Sequence, residues 1–381
     1  MLRELKRMFA RPLYIVSSVG VMLFCTIFFL SLLRSGSAEK MPVAVVDLDQ
    51  TTISQRLIHE MQATPSVDIR MITNDYSEAR DAMQKGKIYG IFIINEGFYQ
   101  DLASFKRPQL DFYMTNAYML GGNTAYKQML TMVNLVSGAF QREVLRKKGM
   151  TDEIIMHRIQ PLAIESHMIA NPWANYSVYL VSTILPGILG LICMMLTIYV
   201  IGNELKHRTA HTWMQMADNN FTIAILGKLT PYTILYFLLG LGCQLTLYNY
   251  VGFPVHGSHV RLMFGLLLFL FAMEALGVLM ITLLPVLRNA LSVGTLYAML
   301  GFSLSGFTYP NMAMLTPVRA LSYLEPLRHY YLIYVNEALM GAPSINSLPY
   351  ALSLMAFVLV ALIFSPRLKK VLINDASYSD E

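Results

Sequence analysis

Several residue sets in this sequence have the types and spacings that could do chemistry. Asp47, Asp49 and Asp75 invite a calcium or phosphate-transfer reading, but the Asp-x-Asp pair lacks the Gly and distal Glu of a calcium loop. A strand end and turn followed by a helix cap at Thr51 or Thr52 fits these residues better. His207 and His211 share a helix face by spacing and could pair on a metal. No His-Glu-x-x-His pattern or third ligand accompanies them, so no metal site is expected. Gly227-Lys228 is followed by Leu229 and lacks the upstream Gly of a phosphate-binding loop, so the chain offers no motif for hydrolysing ATP.

Glu274 is different, because it lies mid-way along the apolar run Leu262–Leu284. A carboxylate at that depth in a membrane costs on the order of 3 kcal/mol or more, so it should face a bundle interior and have a partner. Two readings stand. One is a contact for a substrate or proton in a translocation path. The other is an interhelical hydrogen bond, with Gln244 as the candidate partner, or a neutral buried acid. Further on, Glu325, Arg328, His329 and Glu337 are spaced to face one another across turns, as a local polar network would be. Gly301 and Ser305, four apart, would allow close helix contact.

These residues need a membrane to position them. Of 381 residues, 55% are hydrophobic and 14% charged, against about 25% charged in soluble domains. The net charge of +5 comes with basic residues beside apolar runs, where they set orientation, so nucleic acid is not an expected partner. Cys25, Cys193 and Cys243 all fall in apolar runs and read as packing residues.

In order, Met1–Pro12 reads as a basic amphipathic helix on the inner membrane surface. Leu13–Leu33 follows as a first span, too long and without the cleavage site of a signal peptide. Residues 35–172 have ordinary polarity and an α/β rhythm. Strands are expected at Pro42–Asp47, Val67–Ile72, Ile88–Ile94 and Gln109–Met114, with helices at Thr51–Met61 and Tyr76–Gln84 and a long helix over Ala117–Lys148. Residues 173–381 supply five more spans: Tyr176–Ile201, Ile223–Val251, Leu262–Leu284, Ala290–Tyr309 and Leu348–Phe364. Residues 310–342, interrupted by Pro317 and Pro326, read as a broken or re-entrant helix pair at the outer face. The expected fold is thus an α-helical polytopic membrane protein with six transmembrane helices and an extracytoplasmic α/β domain inserted between the first two. The Lys and Arg clusters place both termini in the cytoplasm.

Between two of these spans, residues 202–222 form a polar stretch with Glu204, Lys206, His207, Arg208 and Trp213. It must lie in water at the inner face, as a hairpin that can be pushed from the cytoplasm.

At this point nearly the whole chain resembles the permeases of type-2 ABC exporters, the drug and lipid export subfamily with a large external domain. The resemblance rests on the basic amino-terminal helix and on Val43–Asp49 and Tyr89–Phe98 in the external domain. It rests equally on Asn203–Ala210 and Leu226–Tyr232 around the polar stretch, and on Ser305–Pro310 and Leu321–Tyr331 near the outer face. Ala210 and His211 depart from the family's usual Gly-Thr, and Ala217-Asp218 from its usual Thr-Pro. The resemblance implies a bacterial inner-membrane permease that binds no cofactor and pairs with a second permease, identical or homologous. ATP and Mg would be held by a cytoplasmic ABC ATPase dimer. Glu204 to Trp213 would sit in a groove on that ATPase and couple its closure to an inward-to-outward switch. The external domain could dock a periplasmic membrane-fusion adaptor, and amphipathic substrates such as drugs, lipids or lipid-linked products fit the subfamily. Two other classes compete. A membrane scaffold or receptor needs no cytoplasmic hairpin of this kind, and an ion-driven secondary transporter using Glu274 predicts inverted repeats, which the sequence does not show.

Overall fold

The computed structural model describes residues 1–36, 40–64, 67–104, 106, 108–115, 119–159, 169–172 and 174–373. The chain divides into two compact units, one of residues 1–34 with 168–381 and one of residues 35–167.

The first unit is helical. α1 (Leu2–Ala10) ends at Arg11, whose backbone is extended because Pro12 disfavours the helical conformation in the residue before it. Pro12 then opens α2 (Pro12–Leu32), a position where its missing N–H costs nothing. The polar hairpin region is spanned by α8 (Tyr176–Lys206), α9 (Ala210–Gln215) and α10 (Phe221–Tyr250). Asn175 caps α8 and Asn220 caps α10 through their side-chain oxygens. At 31 residues, α8 is about 46 Å long, well beyond the ~30 Å hydrocarbon core, and its excess carries Asn203–Lys206 out of the apolar zone. α11 (His259–Leu283) follows, then α12 (Leu287–Leu304), α13 (Thr316–Ser322), α14 (Pro326–Tyr334), α15 (Leu348–Ile363) and α16 (Ser365–Ile373).

Among the described residues five helices are long and apolar enough to cross a membrane: α2, α8, α10, α11 and Ser344–Ile363, which contains α15. The expected span Ala290–Tyr309 falls on α12, an 18-residue helix of about 27 Å with Arg288 and Asn289 in its first turn. The expected broken pair in 310–342 is a set of short helices. Pro317 and Pro326 stand at their first turns, starting α13 and α14 rather than interrupting them.

α11 is the centre of the bundle, with 78% of its apolar window buried, against 17% for α2 and 11% for the last span. It packs along α8, and its Gly277 lies so close that an added Cβ would stand 2.9 Å from the Met194 carbonyl. Small residues permit this approach where no hydrophobic drive separates helix from lipid. Phe269, Leu270, Met194, Ile198, Tyr232 and Tyr236 fill the interior.

In the second unit, β1 (Met41–Asp47), β2 (Val67–Thr73), β3 (Gly90–Ile94) and β4 (Leu110–Met114) form one sheet in the order β2-β1-β3-β4. β1 runs parallel to β2 and β3, and β4 is antiparallel to β3. Helices cover both faces, as a parallel sheet requires. Val43, Val45, Phe92 and Ile94 face α3 (Thr52–Gln62) and Met129 of α6 (Met119–Lys147), while Ala44, Val46, Ile91 and Ile93 face Ala79 and Ala82 of α4 (Tyr76–Gln84). α5 (Phe98–Ala103) and α7 (Asp152–Ile159) complete the unit. The expected start of the long helix at Ala117 lies outside the described residues.

Candidate functional site

A set of charges is buried where α1, α8 and α10 converge. Glu204, in the last turns of α8, is 1% exposed, Lys228 in the second turn of α10 is 1%, and Glu4 of α1 is 4%. The Lys228 ammonium donates to Glu204 Oε1 at 2.8 Å and to Glu4 Oε1 at 3.1 Å. Arg3 and Arg7, one turn apart on α1, both donate to Glu204 Oε1, and they lie 3.5 and 3.6 Å from Glu4. Thr209 donates to the other Glu204 oxygen. Trp213 of α9 places its ring 4.6 Å from Lys228 Nζ, a cation–π contact, and its Nε1 donates to the Ala224 carbonyl at 3.3 Å.

Three cations and two anions therefore share one interior. Burial alone would penalise each of them, and mutual pairing with the remaining donors satisfied is what makes such a group tolerable. Arg7 shows the balance. Burial works against its charge, yet Glu204 and Glu4 hold its pKa above the ordinary value. The group fastens α1 to the two helices that carry the polar hairpin.

The hairpin residues divide into two sets. Glu204 and Trp213, expected to face a partner's groove, are instead buried in this interior, because α8 stays helical through Lys206 and α9 folds Trp213 inward. Lys206, His207 and Arg208 are exposed, together with His211, Thr212, Gln215 and Met216. Arg208 has a left-handed backbone, φ 55°, at the turn between α8 and α9. His207 caps the end of α8 while His211 lies in α9, so the two expected on one helix face stand on separate helices.

Glu274 is 5% exposed, on α11. Its partner is Thr233 of α10, whose Oγ1 lies 2.8 and 2.9 Å from the two carboxyl oxygens. Gln244, the partner expected from the sequence, donates instead to the Tyr330 hydroxyl at 3.3 Å. Gln244 and Tyr330 line a small interior void with Ser182, Pro186, Gly240 and Leu266.

Around α13 and α14 the expected mutual network does not form among the described residues. Glu337 pairs with Arg261 at 2.6 Å and accepts from Ser347 at 2.8 Å. Glu325 packs on Gly301 of α12, its Oε2 2.7 Å from where a Cβ would stand, and burial pushes its carboxyl up to about 8. Arg328 lies over the Tyr323 ring at 3.7 Å, with Nε and Nη1 unpaired. His329 Nε2 donates to the Tyr323 carbonyl at 2.9 Å, and burial, reinforced by the Arg328 charge, holds its pKa below the ordinary value. Helix packing has turned each side chain to its nearest neighbour on another element or in the preceding turn.

Asp47 and Asp49 do local work. Asp47 accepts from the Asp49 and Gln50 amides and from Ser54, Asp49 from Thr51 and the Tyr99 amide, and Asp75 caps α4. Among the described residues no group of three or more His, Cys, Asp or Glu is placed to hold a metal ion.

Glu4, Arg3 and Arg7 were not singled out by the sequence as partners of the hairpin. The available signal was the lone acid in an otherwise basic amphipathic helix.

A bundle of long apolar helices, with a charged hairpin held at one end by buried ion pairs, defines a polytopic membrane protein. The chain belongs to the ABC-2 transporter family: the profile of the "ABC-2 family transporter protein" matches residues 12–365. It is similar to the inner membrane transport permease YhhJ of Escherichia coli K12, 22% identical over 329 residues that cover 84% of this chain and 83% of YhhJ. The probable multidrug ABC transporter permease YbhS of the same organism is 27% identical over 312 residues, 77% of this chain and 75% of YbhS. The linearmycin resistance permease LnrN of Bacillus subtilis 168 is 33% identical over 110 residues, 29% of this chain and 28% of LnrN. The chain is therefore a membrane permease of an ABC transporter.

Proposed function

We propose that this permease exports an amphipathic substrate, such as a drug, lipid or lipid-linked product, from the cytoplasm or inner membrane, driven by separate ABC ATPase subunits. The names of its relatives, an inner membrane permease, a probable multidrug permease and a resistance permease, support that reading. In it α12 makes the sixth crossing, both termini are cytoplasmic, and residues 35–172 form a periplasmic domain able to dock a membrane-fusion adaptor. A second permease, identical or homologous, completes the pathway.

The observation that carries the proposal is the buried charge group. The exposed part of the hairpin, Lys206–Arg208 with His211, Thr212 and Gln215, is what an ATPase surface would touch. Glu204 and Trp213 root that hairpin in Lys228, Glu4, Arg3 and Arg7. A push on the hairpin is transmitted to α1, α8 and α10 together, because separating any one of them would strand a buried charge. The test is purification from cells expressing the native neighbours, with a photo-crosslinking residue at Thr212. A crosslinked ATP-binding subunit supports the reading. A folded permease that reproducibly purifies and crosslinks without one overturns it.

A further inference from the structure

The hydrogen count around Glu274 points to a ligand. Thr233 has one hydroxyl hydrogen, yet its Oγ1 lies 3.1 Å from the Leu229 carbonyl and 2.8 and 2.9 Å from the two Glu274 oxygens. An ionised Glu274 would leave one or more of these acceptors without a hydrogen in a dry interior, where unmet acceptors are costly. A protonated Glu274 resolves the conflict: its O–H donates to Thr233 Oγ1, and Thr233 donates to the Leu229 carbonyl. This conformation therefore holds a proton on the acid.

Among the described residues no charged side chain pairs with Glu274, whose hydrogen-bond partner is Thr233. Cys193 of α8 and Tyr236 of α10 lie within electrostatic reach of Glu274, and neither side chain can carry a positive charge. Among the charged groups on the helices packed against α11, Arg288 of α12 and Arg367, Lys369 and Lys370 of α16 are exposed. Arg328 of α14 lies over Tyr323, and Lys228 of α10 is occupied by Glu4 and Glu204. What the interior does offer is aromatic surface and spare hydroxyls. Lys228, Tyr232 and Tyr236 follow one another at every fourth residue of α10, and the Tyr232 and Tyr236 hydroxyls are buried without partners. Phe269 stacks on Tyr330 at 5.1 Å, beside the void lined by Gln244 and Gly240. Gly240 is one turn beyond Tyr236, and Leu266 two turns from Glu274. One carboxyl has too few oxygens for a hard metal ion, but a buried carboxyl within electrostatic reach of Tyr236 is what a hydrophobic organic cation needs.

We propose that Glu274 recognises an amphipathic organic cation, which replaces the proton the residue holds in this conformation. This deepens, and rests on, the amphipathic-exporter reading above. In the exchange the Glu274 O–H bond breaks, the proton leaves to water, and the carboxylate pairs with the cation, so charge in the interior stays balanced.

The test compares binding of tetraphenylphosphonium with that of its neutral analogue triphenylphosphine oxide. Purified full-length permease in detergent is used, in weak buffer with a pH-sensitive dye. The wild type should bind the cation and release about one proton per cation bound. Glu274→Gln, isosteric with the protonated acid, should weaken cation binding by about tenfold or more, abolish the release and leave the neutral analogue's binding unchanged. Glu274→Asp should retain the release. Equal cation affinity in Glu274→Gln, or no release by the wild type, overturns the proposal. If both compounds bind alike without release, the cation fails and the amphipathic-substrate reading stands; if neither binds, the cation fails and the exporter reading is decided by the ATPase crosslink at Thr212.

Discussion

Lys228 and Glu4 are 224 positions apart in the chain, and their charged ends meet at 3.1 Å inside the bundle. Glu204 meets the same ammonium at 2.8 Å from a third helix. Lys228→Met should therefore lower stability by about 3–5 kcal/mol, the cost of removing one member of a buried ion group. A thermal melt in detergent checks this, and restoring only the charge with Lys228→Arg should recover less than half of the loss, since Arg's fork does not fit a point-charge site.

Glu4→Gln tests whether α1 is held by its acid. It leaves Arg3 and Arg7 on Glu204 but removes the α1 partner of Lys228. Hydrogen exchange over residues 2–10 should quicken, with a stability loss of about 1–3 kcal/mol. Unchanged exchange would show that the arginines alone fasten the helix.

The two sets of hairpin residues should behave differently. Lys206→Glu, at an exposed position, should leave the melting temperature within a degree or two, since surface substitutions are worth about ±0.5 kcal/mol, and should reduce ATPase activity in the assembled transporter. Glu204→Ala, at a buried one, should lower both. Loss of stability in both variants would show that the hairpin is structural throughout.

Glu325 gives a pH signature. Its carboxyl holds a proton in the fold up to about 8 because it is buried, whereas in the unfolded chain it ionises in the ordinary carboxylate range. The unfolded state thus binds fewer protons between those values, so this residue's contribution to stability falls as pH rises from about 4.5 to about 8 and is level above. Glu325→Gln should therefore melt higher than the wild type at pH 8.5, with the difference closing toward pH 5. A difference independent of pH would place Glu325 in water.

Gly277→Ala probes the contact of α8 with α11. The new Cβ would stand 2.9 Å from the Met194 carbonyl and 2.8 Å from Thr197 Cβ. Backbone cannot rotate away as a side chain can, so a loss of about 1–3 kcal/mol is expected in a melt.

Local features of the fold were legible in the sequence because their causes are local. The helix Tyr76–Gln84 follows its Asp75 cap, and Thr51 caps the next helix over through Ser54. Long apolar runs likewise announce α8, α10 and α11. The run at Ala290–Tyr309 was read without its polar start, since the helix begins at Leu287 and takes in Arg288 and Asn289. The site was harder to read. Glu204 looks like a surface acid among basic neighbours, and its burial depends on Arg3, Glu4 and Arg7, about 200 residues away. The partner of Glu274 was misassigned for a related reason. Thr233 and Gln244 lie on the same helix, and the choice between them depends on the axial offset of α10 against α11, which no residue pattern encodes.

The three cysteines of the chain all lie in its apolar helices. Cys193 is buried, and Cys25 and Cys243 are half-buried on α2 and α10. Neither the hairpin nor the sheet unit carries a thiol, and a charged maleimide in water does not reach sulfur within the apolar bundle. A single cysteine placed at His211 would then be the one fast-labelling position. A spin label or fluorophore there would report the hairpin's movement against a silent background, with the native thiols left in place.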